Sequence, residues 1–129
     1  MKAYPNDAKL IYKQFPLPNH PHARMAAQAS IAAQAQDKFW PMYEKLFANF
    51  NRLSDQLVVS LAKDMGLDLA RFEADRNSAK TKAMVEKDIN DGIKLQLMGT
   101  PTLFVNGKRF NGLIDLAVLK PVLDAELKK

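Results

Sequence analysis

Cysteine is absent from all 129 residues. Its absence excludes a disulfide-stapled scaffold, a zinc site built on thiolates and a cysteine nucleophile. It also excludes thiol–disulfide exchange by this polypeptide acting alone, because the attacking species in that chemistry is a thiolate. Histidine is nearly absent too. His20 and His22 sit two residues apart in a proline-rich stretch with no carboxylate close by. Two ligands are too few for a dedicated metal site, so both read as exposed loop residues, and no metal or cofactor is expected. No stretch approaches the ~18 consecutive apolar residues of a membrane helix, so membrane insertion is not expected. The opening residues, Met1-Lys-Ala-Tyr-Pro-Asn-Asp-Ala, lack an apolar core of the kind a secretory leader needs. The chain therefore reads as cytosolic, or as a mature or recombinant form without a leader. Gly-rich phosphate loops are missing, and Asp37, Glu44, Asp64 and Asp68 form no acid–base pair but fit helix caps and solvated faces.

Charge is present but unclustered. The formal net charge is +5 and the pI about 9.5, with no run of five like charges. Nucleic-acid binding calls for a concentrated stripe of Lys and Arg, so it is not expected; a mixed surface with a slight excess keeps a protein soluble. A hydrophobic fraction of 47% beside 26% charged residues fits one folded domain and not a disordered chain.

Periodicity then sketches the elements. Lys9–Phe15, with Leu10, Ile11, Tyr12 and Phe15, predicts a strand. Pro16, Pro18 and Pro21 follow, and three prolines so close predict an extended loop. From about His22 to Gln36, alanine dominates and predicts a helix made for close packing. Asp37–Asn51 predicts a second helix. There Phe39, Trp40, Tyr43, Leu46, Phe47 and Phe50 read as a core stripe ahead of an exposed peptide groove, and Pro41 falls in the tolerant first turn. Ser54 is placed to cap a third helix that Gly66 ends, and Asp68 to cap a short fourth one carrying Leu69 and Phe72. A fifth helix is expected over Ala79–Leu97, with Val85, Ile89, Ile93 and Leu97 along one face. Thr102–Val105 and Lys108–Asn111 flank Asn106-Gly107, a strong hairpin signal. Asp115 can cap a last helix with Leu116, Leu119, Val122, Leu123 and Leu127 inward, and Pro121 within it predicts a kink or an irregularity.

Four stretches together resemble the DsbA-like thiol–disulfide oxidoreductases of the thioredoxin superfamily. Lys9-Leu-Ile-Tyr-Lys-Gln-Phe-Pro-Leu-Pro-Asn-His20 is similar to their strand and proline loop, and Lys38-Phe-Trp-Pro-Met-Tyr-Glu-Lys-Leu-Phe47 to their inserted helical domain. Ala62-Lys-Asp-Met-Gly-Leu-Asp-Leu-Ala-Arg-Phe72 is similar to the next helix pair. Gly99-Thr-Pro-Thr-Leu-Phe-Val-Asn-Gly107 is similar to the cis-proline loop and the hairpin after it. The resemblance implies an α/β architecture: an incomplete thioredoxin-like fold of one strand, an insertion of about five helices, a β-hairpin and a C-terminal helix. It implies a single domain over 1–129. Within it 22–97 is the helical insert, and 9–15 with 99–129 is the thioredoxin-like part.

Family members open with a central strand and a helix carrying Cys-x-x-Cys. Eight residues before Lys9 are too few for that unit, since a βαβ unit takes ~30 residues. The chain therefore reads as a truncated form without the redox cysteines, with no catalytic residue and no redox activity of its own. The function implied is that of a protein disulfide oxidoreductase or isomerase whose substrate-facing half remains. The alternative is a non-catalytic thioredoxin-like module that binds peptides or proteins. From the residues alone, Thr100–Pro101 is trans by default; the resemblance implies a cis bond there. It further implies that Gly99, Thr100 and Pro101 bind substrate, with Thr100 offering its backbone to an extended or unfolded protein segment. By resemblance the compartment is the bacterial periplasm or cell envelope. Without a central strand, Lys9–Phe15 and Thr102–Val105 would each expose an unpaired edge, so self-association is expected, most simply as a dimer.

Overall fold

The computed structural model describes residues 2–129. Among them are six helices and one two-stranded sheet: α1 (Ala23–Gln34), α2 (Phe39–Ala48), α3 (Asp55–Asp64), α4 (Leu69–Arg76), α5 (Ala79–Lys94), β1 (Leu103–Val105), β2 (Lys108–Phe110) and α6 (Leu116–Leu127). They form two compact units. One is helical and spans Lys13–Gln96; the other joins the N-terminal segment as far as Tyr12 to Leu97–Lys129.

The helical unit is organised by α1. Ala29, Ala32 and Ala33 have no solvent exposure, and α2, α3, α4 and α5 all pack on this one helix. Small side chains let several backbones approach at once, which the alanine-rich sequence anticipates. Met42 and Leu46 of α2, Val58, Leu61 and Ala62 of α3, and Phe72 of α4 complete the main core. Ala27 and Ile31, on another face of α1, meet Val85 of α5. Helix starts follow capping chemistry: Ser54 accepts from the Leu57 N–H at 3.0 Å and Asp68 from the Arg71 N–H at 3.0 Å. Ser78, not foreseen as a cap, does the same for the Thr81 N–H at 3.1 Å. Beyond α3, Gly66 takes φ +74°, the left-handed conformation that lets the chain leave a helix.

Three expectations fail in this unit, wholly or in part. The α2 stripe is core only in part: Leu46 is buried as expected, Phe39 and Tyr43 are half-buried, Trp40, Phe47 and Phe50 are exposed, and Met42, outside the stripe, is buried. Positions 42 and 46 are one turn apart and share the buried side, whereas 40 and 47, two turns apart, share another face, and Phe50 lies beyond the end of α2. The rings meet edge to face or tilted, with centroids 4.9 Å apart for Phe39–Trp40, 5.3 Å for Trp40–Tyr43 and 4.7 Å for Tyr43–Phe47. Helix α5 stops at Lys94, short of Leu97, because Gln96 turns left-handed at φ 55°, and Ile93 is exposed. Lys9–Phe15 is not a strand. The sheet contains β1 and β2 alone, which leaves this segment no ladder to join. At Gln14 the backbone N–H donates to the Asp88 carboxylate of α5 at 2.9 Å, and the buried side-chain amide donates to Ser30 Oγ at 2.8 Å.

In the second unit β1 and β2 pair antiparallel, in the register Leu103↔Phe110, Phe104↔Arg109 and Val105↔Lys108. Asn106 and Gly107, at φ 47° and 81°, form the left-handed two-residue turn that Asn-Gly favours. Asp115 caps α6, accepting from the Ala117 N–H at 2.8 Å, and α6 runs on through Pro121. The expected inward stripe is not buried. Leu116 and Leu127 are exposed, and Leu119, Val122 and Leu123 are half-buried. Two three-residue strands cover too little area to bury a twelve-residue helix. Polar contacts fasten the unit instead. The buried Tyr4 hydroxyl donates to Asp124 at 2.6 Å, and the Asn106 amide donates to Glu126 at 3.1 Å.

Lys13 ties the start of the helical unit to α5. Its ammonium donates to Asp91 at 2.5 Å, and Lys87 donates to the same carboxylate at 2.8 Å. Hydrogen bonds from Lys13 and then Lys87 hold Asp91 down at about 2, against an ordinary 3.8. A carboxylate with a depressed folded-state pKa stabilises the fold above its unfolded value and loses that contribution as pH falls through the folded one. The helical unit should therefore lose stability between pH 3.8 and about 2 as Asp91 protonates. A Lys13→Met variant should show Asp91 titrating nearer its ordinary value in carboxyl-detected NMR. Titration at the ordinary value already in the unmodified chain would contradict the assignment.

Candidate functional site

Gly99, Thr100 and Pro101 form the loop that leads into β1, and the Thr100–Pro101 peptide is cis. Thr102 Oγ1 donates to the Gly99 carbonyl at 2.7 Å and holds the loop from its far side. Thr100 and Pro101 are exposed and Gly99 is half-buried. Among the described residues, no hydrogen bond occupies the Thr100 backbone N–H or C=O. A Cβ built at Gly99 would meet nothing within 4 Å, so another backbone can approach the loop there.

Pro101 also lines an open cleft of about 510 Å³ in the same unit. Its walls are mostly apolar: Met98 before the loop, Leu103 and Phe110 from the hairpin, and Leu113 and Ile114 from the segment leading to α6. Met98 and Leu113 stand far out, at 94% and 76% exposure. Arg109 is the charged residue of the lining, with its guanidinium 5.5 Å from the centre of the Phe104 ring. No carboxylate or histidine is among the residues that line the cleft. The shifted groups of this unit lie elsewhere. Hydrogen bonds from Lys120 and Tyr4 depress Asp124, and hydrogen bonds from Lys129 and Asn106 depress Glu126; both contacts fasten α6. The cleft is thus mostly apolar and carries no acid–base pair, and the unbonded Thr100 peptide group adjoins Pro101 of its lining in the chain.

The three loop residues named from sequence stand together, as neighbours in the chain must. The other apolar lining residues Leu113 and Ile114 were not anticipated. Their signal was present: two large apolar residues between Gly112 and the cap Asp115, where neither strand nor helix period requires them. His20 and His22 are exposed ahead of α1, and no cluster of three His, Asp or Glu includes them among the described residues.

Comparison with known proteins bears on the whole chain. The profile of the DSBA-like thioredoxin domain matches residues 7–124. The thiol–disulfide exchange protein alpha-DsbA2 from Wolbachia pipientis superposes with a TM-score of 0.82 at 24% identity, covering 97% of this chain and 70% of that one. A thioredoxin-like oxidoreductase from Silicibacter pomeroyi superposes with a TM-score of 0.72 at 23% identity, covering 93% and 69%. Both likenesses are of fold. Among curated proteins, the Na(+)/H(+) antiporter NhaA of Herminiimonas arsenicoxydans is 38% identical over 109 residues, 84% of this chain and 18% of that protein. The Na(+)/H(+) antiporter NhaA 1 of Mycolicibacterium gilvum is 38% identical over 123 residues, 93% and 20% respectively. The chain spans about a fifth of the length of these curated relatives.

Gly112 closes the cleft wall through a close approach. A Cβ there would lie 2.8 Å from Phe110 Cζ and 3.2 Å from Val118 Cγ1. Gly112→Ala should push the Phe110 ring aside and destabilise the chain by about 1–3 kcal/mol, as overpacking does. Gly99→Ala, with open space around it, should fall within about 0.5 kcal/mol of the parent, as surface substitutions do. Urea unfolding of both variants checks the contrast, and equal midpoints would contradict it.

Proposed function

The chain belongs to the DSBA-like thioredoxin domain family, and from that premise we propose that it supplies the substrate-holding surface of a thiol–disulfide exchange protein without performing the exchange. In this reading Thr100 pairs its free N–H and C=O with an extended protein segment, Gly99 lets that segment come close, and the apolar cleft beside Pro101 takes one of its side chains. The observation that carries the reading is the unclaimed Thr100 backbone next to Pro101, which lines a mostly apolar cleft free of acid–base groups. The redox half of the family's chemistry needs a thiolate, which this cysteine-free polypeptide does not have. Residues 22–97 act here as the helical insert, and 9–15 with 99–129 as the thioredoxin-like part. Periplasm or cell envelope is the compartment the reading implies.

Ion transport is not carried over from the antiporter relatives, whose name describes proteins about five times longer than the matched stretch. No helix among the described residues is long and apolar enough to cross a membrane.

The test is a titration of the chain against a labelled, unfolded, cysteine-free polypeptide, followed by fluorescence anisotropy. Saturable binding is expected. Leu113→Asp, at an exposed position of the cleft wall, should weaken it about tenfold, equivalent to ~1.4 kcal/mol. In parallel, the chain should not accelerate insulin reduction by dithiothreitol. Failure to bind, or catalysed turnover, would each overturn the reading.

A second property is supported by the hairpin. Each of its strands is paired on one side only, and unpaired edges recruit other strands. Self-association, most simply as a dimer, is therefore proposed. Light scattering over a concentration series should show mass rising above that of one chain; a constant 14.5 kDa at high concentration would sink the idea.

A further inference from the structure

We propose that Met98 is an oxidation site that controls the apolar cleft: conversion of its thioether to the sulfoxide by a hydroperoxide weakens the capture of apolar protein segments. This inference rests on the substrate-holding reading of the loop. Its starting point is chemical competition. Thiolates normally take up mild oxidants first, and this chain has none, so the thioethers of methionine become the principal sulfur targets.

The described methionines differ sharply in access. Met42 is completely buried against α1, Met25 and Met65 are half-buried beside the same core, and Met84 on α5 is 40% exposed. Met98 is 94% exposed. Susceptibility to oxidation follows exposure, which puts Met98 first and Met42 last. Place matters as much as access. Of the five, Met98 is the one that lines the cleft, together with Pro101, Leu113 and Ile114.

In the reaction a sulfur lone pair attacks one oxygen of hydrogen peroxide. The O–O bond breaks as the S–O bond forms, and the departing oxygen leaves as water after proton transfer. Sulfur loses two electrons and the peroxide is reduced. The product is polar and carries a strong acceptor oxygen where the thioether was soft and apolar. An apolar side chain entering the cleft would then have to desolvate that oxygen without offering it a donor. Leu113 and Ile114 of the lining offer that oxygen no donor, since both side chains are aliphatic.

The experiment treats the folded chain with limiting hydrogen peroxide and maps oxygen uptake by peptide mass spectrometry. Met98 should react on the order of tenfold faster than buried Met42, and ahead of Met84, because reactivity follows exposure. Binding of the labelled unfolded polypeptide is measured before and after treatment. The oxidised chain should bind about tenfold more weakly. In a Met98→Leu variant the same treatment should leave the affinity of that variant unchanged, which separates Met98 from the other methionines. Circular dichroism of the treated chain should match that of the untreated one, which separates a local effect from unfolding. Equal oxidation of Met98 and Met42 would overturn the proposal, as would undiminished binding after Met98 is fully converted. Absence of binding by the untreated chain would instead remove the reading of the loop on which the proposal stands.

Discussion

One constraint shapes the helical unit: α1 must fit among four neighbouring helices. A helix with leucine at positions 29, 32 and 33 would hold its partners at ordinary interaxial distances, about 8–10 Å. Alanine there, with no exposed surface, sets the lower end of that range and lets α2, α3, α4 and α5 close on a single central helix. The larger side chains are then supplied by the partners, chiefly Met42, Val58, Phe72 and Val85. Small facing large is how a close-packed interior is filled without voids. The buried polar groups obey the same economy of space. Gln14 and Ser30 satisfy one another, and Arg76 is paired with Glu73 and Asp55, so that no buried side-chain polar atom is left without a partner among the described residues.

The second unit obeys a different balance. Its sheet is a hairpin of three-residue strands and its helix has no buried residue. Burial alone cannot hold such elements in place, and directional contacts take over: Tyr4 to Asp124, Asn106 to Glu126, Asp115 to the Ala117 N–H, Thr102 to Gly99. These bonds fix the backbone while leaving Leu113, Ile114, Leu116 and Val118 uncovered. Exposed apolar surface that is contiguous marks a place where something binds. The cleft beside Pro101 is thus a consequence of how little this unit can bury, combined with how firmly its turns and caps hold the chain.

Much of this was legible in the sequence, for identifiable reasons. Helices declared themselves through period and caps: Ser54, Asp68 and Asp115 all accept the backbone donor their positions predict. Asn106-Gly107 fixed the hairpin, because few other pairs tolerate two successive positive φ angles. What failed depended on partners. Lys9–Phe15 has strand-like residues, yet strand formation needs a neighbour to share a ladder, and local pattern carries no information about whether one is present. The aromatic positions of α2 have helical spacing, but period alone does not say which side of the helix meets α1; the buried pair is Met42 and Leu46. Tyr4 stands among opening residues without apolar periodicity, and its role rests on an aspartate 120 positions away. The loop at Gly99–Pro101 was legible as a local motif, whereas Leu113 and Ile114 stood out only as apolar residues outside any period, and their place in the same cleft needed three dimensions.

The composition of the cleft finally bears on what kind of recognition it can perform. An acid–base pair or a cluster of charges would select a particular chemical group. Here the polar partner is a backbone amide, and every peptide has a complement to it. Most of the remaining lining is aliphatic or aromatic, and apolar burial scales with area and not with identity. A surface of this kind discriminates extended chain from folded chain, because a folded chain has already committed its backbone donors and acceptors to its own structure. Sequence tolerance and conformational selectivity therefore come from the same two features, a free peptide group and an apolar wall. On the proposed reading, those are the properties that a surface handling many different unfolded substrates requires.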